Sequence, residues 1–141
     1  MVSYNQLYLE QEIKKSIAKD FSKIIKANSD EDIRYSIDLR KISNKLYPHL
    51  IALVINAASN VLILPITISI TNYYNEIKSI QDEEQIIINR DDALDIIEHS
   101  IDTYQRVIID NNNEKEQIVI NKEAMLATIR KEFDQLDFCD R

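Results

Sequence analysis

The chain has 141 residues, no glycine, a single cysteine and a formal net charge of -7. That length suits one domain, able to bury about two thirds of its unfolded surface without cross-links, and the lone Cys139 leaves no disulfide framework and no zinc-type Cys/His spacing. Without glycine there is no Walker or dinucleotide-binding fingerprint and no glycine-flanked serine nucleophile. The acidic balance disfavours nucleic acid as a partner, because phosphate contacts need a basic field.

The charge is uneven. Residues 1–49 carry nine Lys/Arg against seven Asp/Glu, net +2, whereas residues 76–141 carry eight against seventeen, net -9. A basic partner for the C-terminal half is the natural complement. Val2 to Glu12 has neither a basic start nor an apolar run, so no secretory leader is expected. Together with the cysteine usage this points to the reducing cytoplasm. Heavy use of isoleucine, asparagine and lysine hints at an AT-rich bacterial or viral genome.

From Tyr4 to Ala27 the residues Leu9, Ile13, Ile17, Phe21 and Ile24 recur every three or four positions and predict an amphipathic helix. Lys15, Lys19, Lys23 and Lys26 fall on its opposite side, a solvated face or a basic surface for an anionic partner. Asn28-Ser29-Asp30 breaks the helix. Ile33 to Arg40 then alternates apolar and polar residues and predicts a half-buried strand. Ser43 or Asn44 is placed to cap the next helix, with Pro48 in its first turn. Leu50, Val54, Ala57 or Ala58, and Val61 continue it, and beyond Pro65 the alternation of Ile66, Ile68 and Ile70 with Thr67, Ser69 and Thr71 predicts a second strand.

These elements lie around a thirty-residue stretch, Leu46 to Asn75, that holds no Asp, Glu, Lys or Arg. Within it Leu50 to Ile70 is long enough for a bilayer span, with Arg40, Lys41 and Lys45 before it and Asp82, Glu83 and Glu84 after it. Asn56, Ser59, Asn60 and Pro65 offset the gain from its isoleucines and leucines. Buried core is therefore the first reading of residues 50–70 and a membrane anchor the second.

The C-terminal half carries an internal repeat at an offset of 32. Gln85-Ile86-Ile87-Ile88-Asn89-Arg90-Asp91 matches Gln117-Ile118-Val119-Ile120-Asn121-Lys122-Glu123, and the match continues through Leu94 with Leu126, Ile97 with Ile129, Ile101 with Phe133, and Asp102 with Asp134. Each copy reads as a short strand, an asparagine N-cap and a helix with an acidic first turn. Ile66 to Thr71 and Arg106 to Asp110 would add a leading strand to each, the second forming a hairpin with Gln117 to Asn121 across the Asn111-Asn112-Asn113 turn. The expected fold is thus a single mixed α/β domain of about four helices and five short strands. A tandem β-β-α repeat in the acidic part, residues 61–141, would pack on a helix-strand-helix part, residues 1–60.

No cluster rises to a catalytic, cofactor or metal motif, and no cofactor is expected. Asp91, Asp95, Glu98 and Asp102 make an acidic stripe in copy one, suited to a basic protein partner, whereas copy two has Glu123, Ala127, Arg130 and Asp134 there. Tyr73 and Tyr74 form the one aromatic pair, a core edge or an interface. Arg40 and His49, and Arg90 and His99, are each nine apart. A ribonuclease would use such groups for proton transfer and phosphate, but on a helix that spacing sets the second pair on opposite faces, and His99 reads as a surface residue. The function expected is a non-catalytic accessory, regulator or inhibitor acting through its acidic half. The alternatives are a single-span membrane protein and a small metal-independent nuclease using Arg40 and His49. The exposed hairpin edge could also pair between subunits as a homo-oligomer.

Overall fold

The computed structural model of the chain describes residues 4–28, 36–59, 63–111 and 121–137. They form five helices, α1 (Tyr4–Asn28), α2 (Leu39–Ser59), α3 (Ile63–Glu84), α4 (Arg90–Asn111) and α5 (Lys122–Phe133). No strand occurs among the described residues, which overturns the expected α/β fold. α1 packs against α2 and α4, α2 runs along α3 and also touches α4, and α5 closes against α3 and α4. One continuous apolar core draws residues from all five helices.

α1 follows its predicted stripe, with Ile13, Ile17 and Phe21 fully buried and Lys15, Lys19, Lys23 and Lys26 exposed. α2 begins earlier than its predicted cap. Asp38 Oδ1 accepts hydrogen bonds from the backbone amides of Arg40 at 3.0 Å and Lys41 at 3.2 Å, the usual work of an N-cap aspartate. The Ser43 hydroxyl donates back to Leu39 O at 2.9 Å instead, as serines within helices do. Pro48 consequently lies in the helix interior, where it removes one amide donor. Burial of Leu46, Leu50, Leu53 and Val54 on either side holds the helix through it, at roughly 1.5–3 kcal/mol for each such side chain. Of the strand expected from Ile33 to Arg40, residues 33–35 lie outside the described residues, and Leu39 and Arg40 already belong to α2.

The strand expected at Ile66 to Thr71 is the start of α3. From before Thr71 to well beyond it the buried residues Ile66, Ile70, Tyr73, Ile77 and Ile80 keep intervals of three and four. Six residues of alternation agree with that helical period only at Ile66 and Ile70, and Ile68 points outward. Pro65 is the third residue of α3, where its missing amide leaves no bond unmade. Asn56 of α2 joins the two helices, its side-chain amide donating to Ser69 Oγ at 2.7 Å and to Pro65 O at 3.4 Å.

Between α3 and α4, residues 86–89 belong to neither helix nor strand. Gln85 takes φ 55°, the left-handed conformation that ends many helices, and the Ile86 amide reaches back to Gln81 O at 3.2 Å. In a chain without glycine a side-chain-bearing residue must occupy this position, at a cost of about 1–2 kcal/mol. Ile86 and Ile88 are buried while Ile87 is exposed. The alternation there is real, yet the Ile88 amide donates to Gln81 Oε1 at 3.1 Å rather than to a neighbouring strand. The first copy therefore has no strand. Arg106 to Asp110, expected as a hairpin strand, are the last turns of α4, and Gln117 to Ile120 lie outside the described residues.

What the two copies do share is cap and helix. Asn89 Oδ1 accepts the Asp92 amide at 2.8 Å, and Asp92 Oδ2 accepts the Asn89 amide at 3.4 Å, a reciprocal capping box. Asn121 Oδ1 accepts the Ala124 amide at 3.1 Å. Leu94 and Leu126, Ile97 and Ile129, and Ile101 and Phe133 are all buried. The copies also hold each other crosswise. Arg90 pairs with Asp134 while Lys122 pairs with Asp102 at 2.8 Å. Arg90 corresponds to Lys122 and Asp102 to Asp134, so the start of each helix grips a later turn of the other, as two elements related by a local twofold axis must.

Candidate functional site

The apolar positions of α1 include one carboxylate. On the spacing Ile13, Ile17, Asp20, Ile24, Asp20 takes a core place and is 7% exposed. Its Oδ1 lies 2.7 Å from His99 Nδ1 of α4, and its Oδ2 is buried with no hydrogen-bond partner. Burial pushes the Asp20 carboxyl above its ordinary value, against the pull of His99 and Lys23. On α4 the Thr103 hydroxyl donates to His99 O at 2.9 Å, fixing the next turn. Together with Ser16, Lys19 and Lys23 these residues line a cavity of about 240 Å³ between α1 and α4. Elsewhere α1 and α4 are joined by Arg106 Nη2, 3.0 Å from Glu12 Oε1, which holds the Glu12 carboxyl below the usual range. A carboxylate fixing one imidazole nitrogen leaves the other to meet a ligand or move a proton.

This pair was not legible as a site, because His99 reads as a surface residue and Asp20 as part of a helix. One signal was available, an aspartate on an apolar stripe, which needs a partner when buried.

Of the acidic stripe, Asp91 and Asp95 are exposed. Glu98 and Asp102 are bound by Lys122 Nζ at 3.2 and 2.8 Å. Tyr73 is fully buried, its hydroxyl donating to Ala93 O at 2.7 Å and its ring stacked on Phe133. Tyr74 is half-buried and donates to Asp137 O at 2.7 Å. Arg40 and His49 are not brought together. Both lie on α2, about 13 Å apart along the axis and half a turn out of phase. His49 Nε2 lies 3.4 Å from Glu76 Oε1, while Arg40 borders a groove of about 480 Å³ between α1 and α2 with Leu7, Lys14 and Lys15.

A second surface stands out on α2 and α3. The bonds from Asn56 to Pro65 and Ser69 mark the line along which the two helices face each other. The residues just after that line, Ala57, Ile66 and Ile70, are buried. Those just before it, Ile55, Leu64 and Ile68, point outward and are 47%, 68% and 53% exposed. Exposed Ala52, Thr71, Asn72 and Asn75 continue this outer face, and it carries no charge.

Among the described residues no group of three or more His, Cys, Asp or Glu could hold a metal ion, and no helix is long and apolar enough to cross a membrane. No protein-family model, curated protein or solved structure matches the chain.

Proposed function

We propose that the chain is a small non-catalytic interaction module, an accessory or regulator that docks on a protein partner through the outer face of α2 and α3. The observation that carries this reading is the exposure of Ile55, Leu64 and Ile68 on a face free of charge, in a chain whose other helices are rich in charge. Interface centres are depleted of charged residues in the same way, and a contiguous apolar patch is unusual on a surface that only meets water. The partner surface that fits is itself apolar and uncharged, such as the apolar stripe of an amphipathic helix. A charged surface would lose its hydration there and gain no counter-charge. The exposed Asp91 and Asp95 offer a second contact, for a basic partner.

Salt separates the two surfaces. Proteins encoded by neighbouring reading frames, titrated against the purified chain, should bind as well at high salt as at low, since apolar contact is not screened. Ile55→Glu with Ile68→Glu should weaken that binding at least about tenfold, or about 1.4 kcal/mol. Binding that survives this pair but is abolished by salt and by Asp91→Asn with Asp95→Asn would move the contact to the acidic half and overturn the outer-face reading.

A further inference from the structure

The cavity between α1 and α4 is lined by polar residues throughout. Such a lining suits a small, strongly hydrated ligand rather than an apolar one. Four groups reach it from two helices with donors to offer. Among the described residues no hydrogen bond or ion pair is made by Lys19 or by the Ser16 hydroxyl, and Lys23 acts on Asp20 through its charge alone. They sit at positions 16, 19 and 23 of α1, intervals of three and four that keep them on one side of the helix. From α4 comes His99, whose Nδ1 is occupied by Asp20, so that Nε2 is the nitrogen left for the cavity.

The two acidic members of the lining are each engaged at one oxygen. Asp102 is taken by Lys122 at 2.8 Å, and the second oxygen of Asp20 is turned into the protein, out of reach of solvent. The lining thus holds two lysines, one imidazole and the Ser16 hydroxyl as donors, beside Asp20, Asp102 and a Thr103 hydroxyl already given to His99 O. We infer that this cavity is a binding site for the phosphoryl group of a small phosphomonoester, held by Lys19, Lys23, Ser16 and His99, with Asp20 as a positioning residue behind the imidazole. The roles follow from the chemistry. The lysines supply point charges to the phosphate oxygens and the hydroxyl supplies a directed hydrogen bond, while Asp20, accepting Nδ1–H, fixes the plane of the ring so that Nε2, which carries a hydrogen in the imidazolium form, donates to the phosphate. At about 240 Å³ the cavity is smaller than the roughly 300–1,000 Å³ of pockets for drug-sized ligands, yet larger than a bare phosphate, leaving room for the first atoms of the attached group.

The site is independent of the outer face of α2 and α3, so it stands or falls on its own test. Inorganic phosphate, glycerol phosphate and adenosine monophosphate are each titrated into the ¹⁵N-labelled chain at low salt, and amide and imidazole resonances are followed by NMR. Shifts should centre on Ser16, Lys19, Lys23 and His99, and His99 Nε2 should shift with its proton becoming observable on saturation. Comparable affinity for all three probes assigns the site to free phosphate. Tighter binding of one ester shows which attached group it prefers. Lys19→Gln, Lys23→Gln and His99→Gln, all at exposed or half-exposed positions and checked for an unchanged melting curve, should each weaken binding about tenfold. Shifts scattered over all lysines, or affinities unchanged in these three variants, would overturn the assignment.

Discussion

α4 and α5 come from the two copies of one repeat, and they differ in how many neighbours surround them. α5 is twelve residues long and buries a single stripe, Met125, Leu126, Ile129 and Phe133. α4 is twenty-two residues long and buries the matching stripe. It also buries Ile96, Ser100, Thr103 and Val107 on a second side, where α1 lies. The shared features, cap, stripe and crosswise ion pairs, are those that hold the copies to each other and to the core. The features that differ gather where α4 alone meets α1. His99 corresponds to Lys131, which is exposed on α5, and only His99 has a buried carboxylate opposite it. A duplicated unit keeps its packing residues and is free to change where its surroundings change.

The strongest way to break the comparison is to empty matching core positions. Ile101→Ala in α4 and Phe133→Ala in α5, both fully buried, should cost about 2–5 and 3–5 kcal/mol in denaturant unfolding. A loss well under 1 kcal/mol in α5 alone would show that it docks loosely, and the likeness between copies would be one of sequence only.

A smaller effect tests what α4 has and α5 lacks. Because burial holds the Asp20 carboxyl above its ordinary value, the folded chain keeps that proton at pH values where the unfolded chain has released it. The contribution of this group is therefore most favourable below the ordinary aspartate value and falls as pH rises through the raised one. Melting temperatures across the mildly acidic range should show this decline, and Asp20→Asn should remove it while leaving the protein at least as stable near neutrality. An unchanged pH profile in Asp20→Asn would mean that the carboxylate is better solvated than its surroundings indicate.

The smallest effect concerns the crosswise pairs. Arg90, Asp134, Lys122 and Asp102 are all partly exposed, so Arg90→Ala or Lys122→Ala should each cost about 0.2–1 kcal/mol and less at high salt. The exchange Arg90→Asp with Asp134→Arg should recover most of the loss in a double-mutant cycle. Failure to recover would deny the pair its role in aligning the two helices.

The sequence made legible what is encoded locally. The stripe of α1 runs over four turns and leaves little choice of structure, and Asn89 and Asn121 announce helix starts because a side-chain oxygen there satisfies an amide that nothing else can reach. Strands were inferred wherever isoleucine alternated over a few residues, and the structure shows two different reasons for that pattern. At Ile66 to Thr71 it is an accident within a longer helical period. At Ile86 to Ile88 it marks a connection between helices in which the Ile88 amide is taken by Gln81, a side chain no strand pattern foretells. The Arg106 to Asp110 strand failed for a simpler reason, since β-branched residues also suit a helix when it has a core to bury them in. The Asp20 and His99 pair was hidden by distance, its members 79 positions apart. The outer face of α2 and α3 was hidden by ambiguity, because a charge-free block does not say which of its residues face in.

The crosswise pairing of Arg90 with Asp134 and Lys122 with Asp102 also bears on how such a chain could arise. A contact that is its own mirror under a half-turn needs no linker to exist. Two separate molecules of one such unit would meet in the same way, each offering its basic first residue to the other's aspartate. Within one chain the same contact costs no association, and only α4 of the two has α1 packed along it.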